Sequence, residues 1–224
     1  TAPNCRVPLY WPAPQMVLST LKGMHRFSWD LHFDPIGDEP RAGGGATGAV
    51  PGRTYPSVQA PWAPPGRYTV RLTIAGRPYT QPLTLSLDPR VTTSAADLER
   101  VATLSREMYD GAVAANAAYL EARALVARIA AAPTADAAAL TADVEALAPE
   151  PRPAPPRRFF GRAEPAGPPT LDGVSRSLMS AAMSMQEADV APTARQVAAC
   201  EAARVQLDEV MRRWNALRIR GGER

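Results

Sequence analysis

The stretch SAADLERVATLSREMYDGAVAANAAYLEARALVARIAAA, residues 94–132, decides the fold of the C-terminal half of the chain. It is rich in alanine and contains no proline. Ser94 and Asp97 have the spacing of a helix N-terminus, and Pro133 interrupts the pattern. Apolar residues recur between them at the three-and-four spacing of an amphipathic helix, at Leu98, Val101, Met108, Ala112, Ala115, Tyr119, Val126 and Ile129. The pattern predicts one long helix over 94–132.

Three shorter patterns of the same kind follow. A second helix is predicted after Pro133, a third from Thr170 and a fourth from Thr193, with Gly221 and Gly222 beyond its end. Their apolar stripes are Leu140, Val144 and Leu147, then Leu171, Val174, Leu178, Ala181 and Met185, then Val197, Cys200, Ala203, Leu207, Val210, Trp214 and Leu217. We predict that residues 93–224 form an Ala-rich helical domain, either an α-helical bundle or a long helical hairpin. A Pro/Arg-rich linker is predicted at 149–169.

The N-terminal half has the patterns of β-strands. Apolar and polar residues alternate from Met24 to Asp34 and again from Tyr68 to Ile74, and Ala75-Gly76 allows the chain to reverse. The return strand carries Tyr79, Leu83, Leu85 and Leu87. A hairpin with one apolar face needs a second sheet or a helix to cover it. We therefore predict a β-sandwich domain over residues 1–92 and an α+β fold class.

Composition narrows the range of partners and cofactors. The 224 residues carry a net charge of +3, and Lys22 is the only lysine among 25 basic residues. The arginines are spread among 22 acidic residues and only 6% of residues are aromatic, so we predict no nucleic-acid partner. No apolar run has the length of a membrane span, so no transmembrane segment is predicted in this chain.

The sequence predicts no metal site and no cofactor. The chain has two histidines and two cysteines, Cys5 and Cys200, without a CxxC pair. A bridge between these cysteines stays open, as does the alternative that Cys200 packs in the core of the last helix. On the predicted strand Asp30, His32 and Asp34 share a face, where they would either bind a metal or form a solvated surface, and the second interpretation is favoured.

No catalytic constellation is present in the sequence, so we predict that the chain is not an enzyme. No nucleophile elbow, P-loop or dinucleotide fingerprint occurs. The candidate functional residues are aromatic side chains in Pro-rich segments, which would either pack on their own domain or contact a partner protein. These possible partner contacts are Tyr10, Trp11, Tyr55, Trp62, Phe159 and Phe160.

A family resemblance is carried by four segments. They read Pro8-Leu9-Tyr10-Trp11, Gly23-Met24-His25-Arg26-Phe27-Ser28-Trp29-Asp30-Leu31, Pro65-Gly66-Arg67-Tyr68-Thr69-Val70-Arg71-Leu72, and Pro82-Leu83 through Asp88-Pro89-Arg90. In order and spacing the chain resembles the C-terminal region of bacterial sortilin-like (VPS10-type) BNR-repeat β-propeller proteins, which are often labelled glycosyl hydrolases. The resemblance implies an immunoglobulin-like sandwich followed by a helical tail. The propeller repeats themselves are absent from this sequence.

The expected function follows from these observations together. The resemblance implies a secreted or periplasmic protein, so the expected location is periplasmic or extracellular. We expect a non-catalytic protein–protein interaction or scaffolding module whose partner is either its own upstream propeller or a neighbouring subunit of an envelope assembly. The alternative is an accessory C-terminal region of a propeller-type glycan or peptide hydrolase.

Overall fold

The computed structural model describes residues 18, 20–27, 29, 31–36, 60–131, 137–150 and 167–222. The chain divides into two compact units, Thr1–Arg90 and Val91–Arg224. The first contains two β-strands and the second four α-helices. Each unit is described by itself below.

The sheet of the first unit is a two-stranded antiparallel hairpin. Strand β1 spans Gly66–Ile74, and β2 spans Arg77–Leu85. Ala75 and Gly76 form the turn with φ values of 49° and 78°. Positive φ at both central residues gives a turn whose twist matches that of the strands, and it pairs Ile74 with Arg77.

The predicted immunoglobulin-like β-sandwich is wrong. Among the described residues there is one sheet, and its only members are β1 and β2. The prediction assumed that the apolar face of the hairpin has to be covered by a second sheet. Instead that face carries large side chains that stay about half exposed, such as Val70 and Ile74. The fold of the described residues is mostly helical.

The predicted strand over Met24–Asp34 is also absent. Of the described residues in this segment, only His32 makes a β-bridge, and it pairs with Trp62. Leu31, beside it, has a φ of 64°, which breaks the extended path that a strand needs. His25 turns back locally, with its Nε2 2.7 Å from the Leu21 carbonyl oxygen. The alternation of residue types is therefore not accompanied by an extended backbone.

Four helices make up the second unit. They are α1 (Ala95–Ala131), α2 (Ala137–Leu147), α3 (Leu171–Ser184) and α4 (Ala194–Gly222). The first amides of three helices are capped by hydroxyl side chains. The Ser94 Oγ accepts from the Asp97 amide at 3.1 Å, the Thr170 Oγ1 from the Gly173 amide, and the Thr193 Oγ1 from the Gln196 amide. The sequence placed these starts correctly because capping chemistry is local.

Helices α1 and α4 run side by side in the same direction. A Cβ added to Gly111 of α1 would lie 2.9 Å from the Leu207 Cδ2 of α4, and one added to Gly221 of α4 would lie 2.9 Å from the Leu125 Cδ2 of α1. In both contacts the two residues are 96 positions apart in the sequence. The helices therefore run parallel, without an offset between the two contacts. The expectation that Gly221 lies beyond the last helix is wrong, because this glycine is where α4 approaches α1 closely.

Helices α2 and α3 pack antiparallel to α1 at different levels along it. The Arg123 Nη1 of α1 donates to the Ala148 carbonyl just after α2, at 3.3 Å. Further back along α1, the buried Ser175 Oγ of α3 donates to the Ala112 carbonyl at 2.9 Å. The interior is mainly aliphatic, and its fully buried side chains include Met108, Leu140, Val144, Leu147, Leu171, Val174, Leu178, Cys200 and Val210.

Hydrogen bonds tie the chain after α2 to α1 and the chain before α3 to α4. The Tyr119 hydroxyl donates to the Pro149 carbonyl at 3.0 Å, and the Arg213 Nη1 donates to the Pro169 carbonyl at 3.1 Å. Burial raises the pKa of the Tyr119 hydroxyl, and Asp172 in the first turn of α3 adds to that rise. Tyr119 therefore lies close both to the end of α2 and to the start of α3.

Candidate functional site

The apolar face of the β1–β2 hairpin carries several large hydrophobic side chains that remain exposed. The register places Tyr68 opposite Leu83, Val70 opposite Gln81 and Leu72 opposite Tyr79, all on this face. Near the turn the exposed fraction is large: Val70 52%, Leu72 43%, Ile74 56% and Tyr79 47%. Scattered exposed leucines are ordinary, but a contiguous apolar patch is typical of an interaction surface.

Aromatic residues cover the other end of the same face. Trp29 meets Tyr68 edge to face, with ring centroids 5.7 Å apart, and the Trp29 Nε1 donates to the His32 carbonyl at 2.9 Å. The Tyr68 hydroxyl donates to the Pro64 carbonyl. These contacts fix the Tyr68 end of β1, so the open part of the face is the half near the turn.

Trp62 is the one predicted partner contact that falls within the described residues. Its ring lies over His32, with centroids 3.7 Å apart, and it is 46% exposed. The Ala63 amide donates to the Leu31 carbonyl at 2.7 Å, and the Phe33 amide donates to the Pro61 carbonyl at 2.9 Å. Trp62 therefore packs partly on its own unit and keeps part of its ring exposed.

The other predicted partner contacts lie outside the described residues. They are Tyr10, Trp11, Tyr55, Phe159 and Phe160. Cys5 and Asp30 lie outside them as well, so the bridge between Cys5 and Cys200 stays an open alternative, as does a shared face of Asp30, His32 and Asp34. Within the part of the chain that the structure describes, no three His, Cys, Asp or Glu side chains form a group suited to a metal ion.

The face of the hairpin opposite to the apolar one is polar and positively charged. Arg67, Thr69, Arg71 and Thr73 alternate with the apolar residues along β1. Arg77, beside the turn, is paired with Ile74 and so lies on the apolar face, where its guanidinium is 5.3 Å from the centroid of the Tyr79 ring. No acidic residue occurs between Gly66 and Leu87, so these three arginines give the hairpin a net positive charge.

The two edges of the hairpin differ in their capacity for hydrogen bonding. Pro78 and Pro82 lie in β2, opposite Thr73 and Thr69 respectively. Both prolines belong to pairs that exchange no hydrogen bonds across the hairpin, and the backbone groups of such pairs point away from the partner strand. Because proline has no amide hydrogen, these two positions offer no donor at the outer edge. The outer edge of β2 thus lacks two donors. Strand β1 contains no proline, and among the described residues only β2 pairs with it.

The helical unit contains a shallow groove between α3 and α4. Its volume is about 610 Å³, and it is lined by Gly173, Arg176, Ser177, Ser180, Ala181, Ser184, Ala199, Ala202, Ala203 and Gln206. Two of its hydroxyls bond to their own helix: the Ser177 Oγ donates to the Gly173 carbonyl, and the Ser184 Oγ donates to the Ala181 carbonyl. The groove therefore offers small and locally satisfied side chains.

One buried thiol and one surface ion pair of the helical unit have a structural role. Cys200 is 1% exposed, and burial raises the pKa of its thiol above the usual value, which keeps the sulfur protonated and unreactive. Arg204 forms a two-pronged ion pair with Glu107, with Nη2 2.7 Å from Oε2, and this pair joins α4 to α1. These residues hold helices together and do not surround a ligand-sized cavity.

The comparisons with known proteins found no relative. No protein-family description, no curated protein and no solved structure matches this chain. The resemblance to sortilin-like proteins therefore stays a prediction. Among the helices of the described residues, none combines the length and apolar character needed to cross a membrane.

Proposed function

We propose that this chain is a non-catalytic protein–protein interaction module and that the apolar face of the hairpin is its contact surface. The observation that carries the proposal is the set of adjacent half-exposed side chains Val70, Leu72, Ile74 and Tyr79. Complete burial of one such side chain contributes about 1.5–3 kcal/mol, so covering the exposed halves of four would contribute about 3–6 kcal/mol. That contribution is large enough to matter for association with a partner.

The helical unit has a supporting part in this proposal. Its interior is aliphatic and closed, with Leu140, Leu147, Leu171 and Leu178 at most 1% exposed. Such a core gives stability without requiring a ligand. We assign to this unit the role of a stable scaffold and to the hairpin the role of recognition.

The double variant Leu72→Thr/Ile74→Thr tests the proposal. Threonine keeps the preference for β-structure but removes apolar surface from the contact face. In extracts of the source cells, we expect the native chain to elute from a size-exclusion column in an assembly larger than one chain. The variant should elute as a single chain.

The matched control is Val113→Gln/Leu120→Gln on α1. These two side chains are 42% and 58% exposed, and glutamine keeps the helix preference. The control should elute like the native chain. The proposal fails if the native chain is already a single chain, if the hairpin variant stays in the assembly, or if the control dissociates from it equally.

A further inference from the structure

The apolar face of the hairpin ends at the edge of β1, with which no described residue outside β2 pairs, and this edge limits what kind of partner fits. In a two-residue hairpin the pair next to the turn, Ile74 and Arg77, exchanges hydrogen bonds, and the pairs then alternate. Thr69, Arg71 and Thr73 therefore lie at positions whose amide and carbonyl groups point away from β2. These groups form a regular row of donors and acceptors along β1, to which an added strand could bond.

The opposite edge cannot accept a strand in the same way. On β2 the outward positions are Pro78, Thr80, Pro82 and Thr84, and two of these four lack the amide hydrogen. Prolines at an edge are a common means of preventing strand addition. Among the residues that the structure describes, the hairpin is therefore blocked on one side and open on the other.

Charge indicates the side chains of the added strand. Arg67 and Arg71 lie on the polar face of β1 and form no salt bridge with the described residues. A strand beside β1 would place its polar residues next to these two arginines, where acidic side chains are favoured and basic ones disfavoured. Its remaining residues would extend the apolar face formed by Val70, Leu72 and Ile74.

A second copy of β1 does not meet this requirement. Antiparallel pairing of β1 with itself in the register centred on Thr69 would bring Arg67 of each copy opposite Arg71 of the other. Like charges directly opposite each other in a sheet are destabilising. The partner strand is expected to come from a different protein.

We propose, building on the function proposed above, that the open edge of β1 binds an extended strand of a partner protein in which apolar and acidic residues alternate. Backbone hydrogen bonds to Thr69, Arg71 and Thr73 supply the docking geometry. The apolar residues of the added strand widen the contact face, and its acidic residues pair with Arg67 and Arg71.

The test uses the full chain and synthetic peptides as long as the nine residues of β1. One peptide alternates valine with glutamate, and a second alternates valine with lysine. A third and a fourth are the glutamate peptide with every second backbone amide methylated, in the two possible registers. Isothermal titration calorimetry at low ionic strength measures binding. We expect the glutamate peptide to bind about tenfold more tightly than the lysine peptide, and about 0.5 M NaCl to reduce that difference.

Methylation separates edge binding from binding on the face. A peptide methylated on the amides that face β1 cannot bond to the edge, so we expect at least one of the two methylation registers to abolish binding. Thr69→Pro, which repeats on β1 the feature that blocks β2, should also abolish binding while leaving the hairpin bonds intact. Arg67→Gln/Arg71→Gln should remove the preference for glutamate over lysine. Circular dichroism of both variants checks that they fold.

Several outcomes would overturn the inference. Equal binding of the glutamate and lysine peptides would exclude acidic recognition, and undiminished binding of both methylated peptides would exclude strand addition. Absence of binding by any peptide would show that this edge is not a free docking site, whether another part of the chain or a second copy covers it. In each case the elution of the variant Leu72→Thr/Ile74→Thr from the size-exclusion column still tests separately whether the apolar face contacts a partner protein.

Discussion

Replacement of Leu178 by alanine should lower the free energy of unfolding by about 3 kcal/mol. Leu178 lies on α3, is fully buried, and directs its side chain toward Gly111 of α1, where an added Cβ would be 3.4 Å from its Cδ1. The three helices α1, α3 and α4 meet here, because Leu207 of α4 also contacts this glycine. Removal of the leucine leaves a cavity that three packed helices cannot collapse to fill.

Urea unfolding monitored by circular dichroism at a helical wavelength measures this loss. The matched control is Leu120→Ala on α1, where the side chain is 58% exposed, and its effect should stay within about 0.5 kcal/mol. If both variants lose the same stability, Leu178 does not lie in a packed interior. The described arrangement of α1, α3 and α4 would then be wrong.

Gly111→Val should destabilise the helical unit by about 2 kcal/mol through crowding, although valine is a better helix former than glycine. A Cβ at this position would lie 2.9 Å from the Leu207 Cδ2, and the branched side chain cannot rotate away from both neighbours. The control is Ala114→Val on the exposed side of α1, which introduces the same side chain without the contact. Its cost should be about 0.6 kcal/mol.

Combining Gly111→Val with Leu178→Ala gives a further check on the same contact. The valine would occupy part of the space that Leu178 vacates. The double variant should therefore lose less stability than the sum of the two single variants, by at least about 0.5 kcal/mol. Strict additivity would contradict the close approach of α1, α3 and α4.

Local signals in the sequence predict the helices well because each depends on neighbouring residues. The three-and-four spacing over 94–132 and the hydroxyl residues Ser94, Thr170 and Thr193 give helix starts that agree with the structure. The parallel direction of α1 and α4 could not be predicted, since periodicity identifies a buried face but not its neighbour. The two helices approach closely at Gly111 and at Gly221. Gly111 is 96 positions from Leu207, and Gly221 is 96 positions from Leu125, but this equal separation indicates a parallel arrangement only once the helices are known to be neighbours.

The β half was predicted less well for a physical reason. The alternation from Met24 to Asp34 indicates which side chains would share a face if the backbone were extended. It carries no information on whether a partner strand is present to bond with it. Leu31 with its positive φ, and the single bridge from His32 to Trp62, give a loop instead. A sandwich needs strands that pair, and alternation alone does not provide them.

The candidate site was only partly visible in the sequence. The alternation of Tyr68 to Ile74 predicts the apolar face, and the lack of acidic residues from Gly66 to Leu87 can be read directly. The difference between the two edges was missed, although Pro78 and Pro82, four positions apart in one strand, signal it. The sequence prediction focused on Trp62 and other aromatic residues, whereas the structure places the exposed patch nearer the turn.

Site-specific photo-crosslinking in the source cells tests the central claim most directly, namely that the apolar face of the hairpin contacts another protein. A benzophenone amino acid is introduced at position 72 on that face, or at position 120 on α1 as a control of similar exposure. The account predicts a discrete product of higher mass from position 72 and none from position 120. No product from position 72, or the same product from both positions, would contradict it.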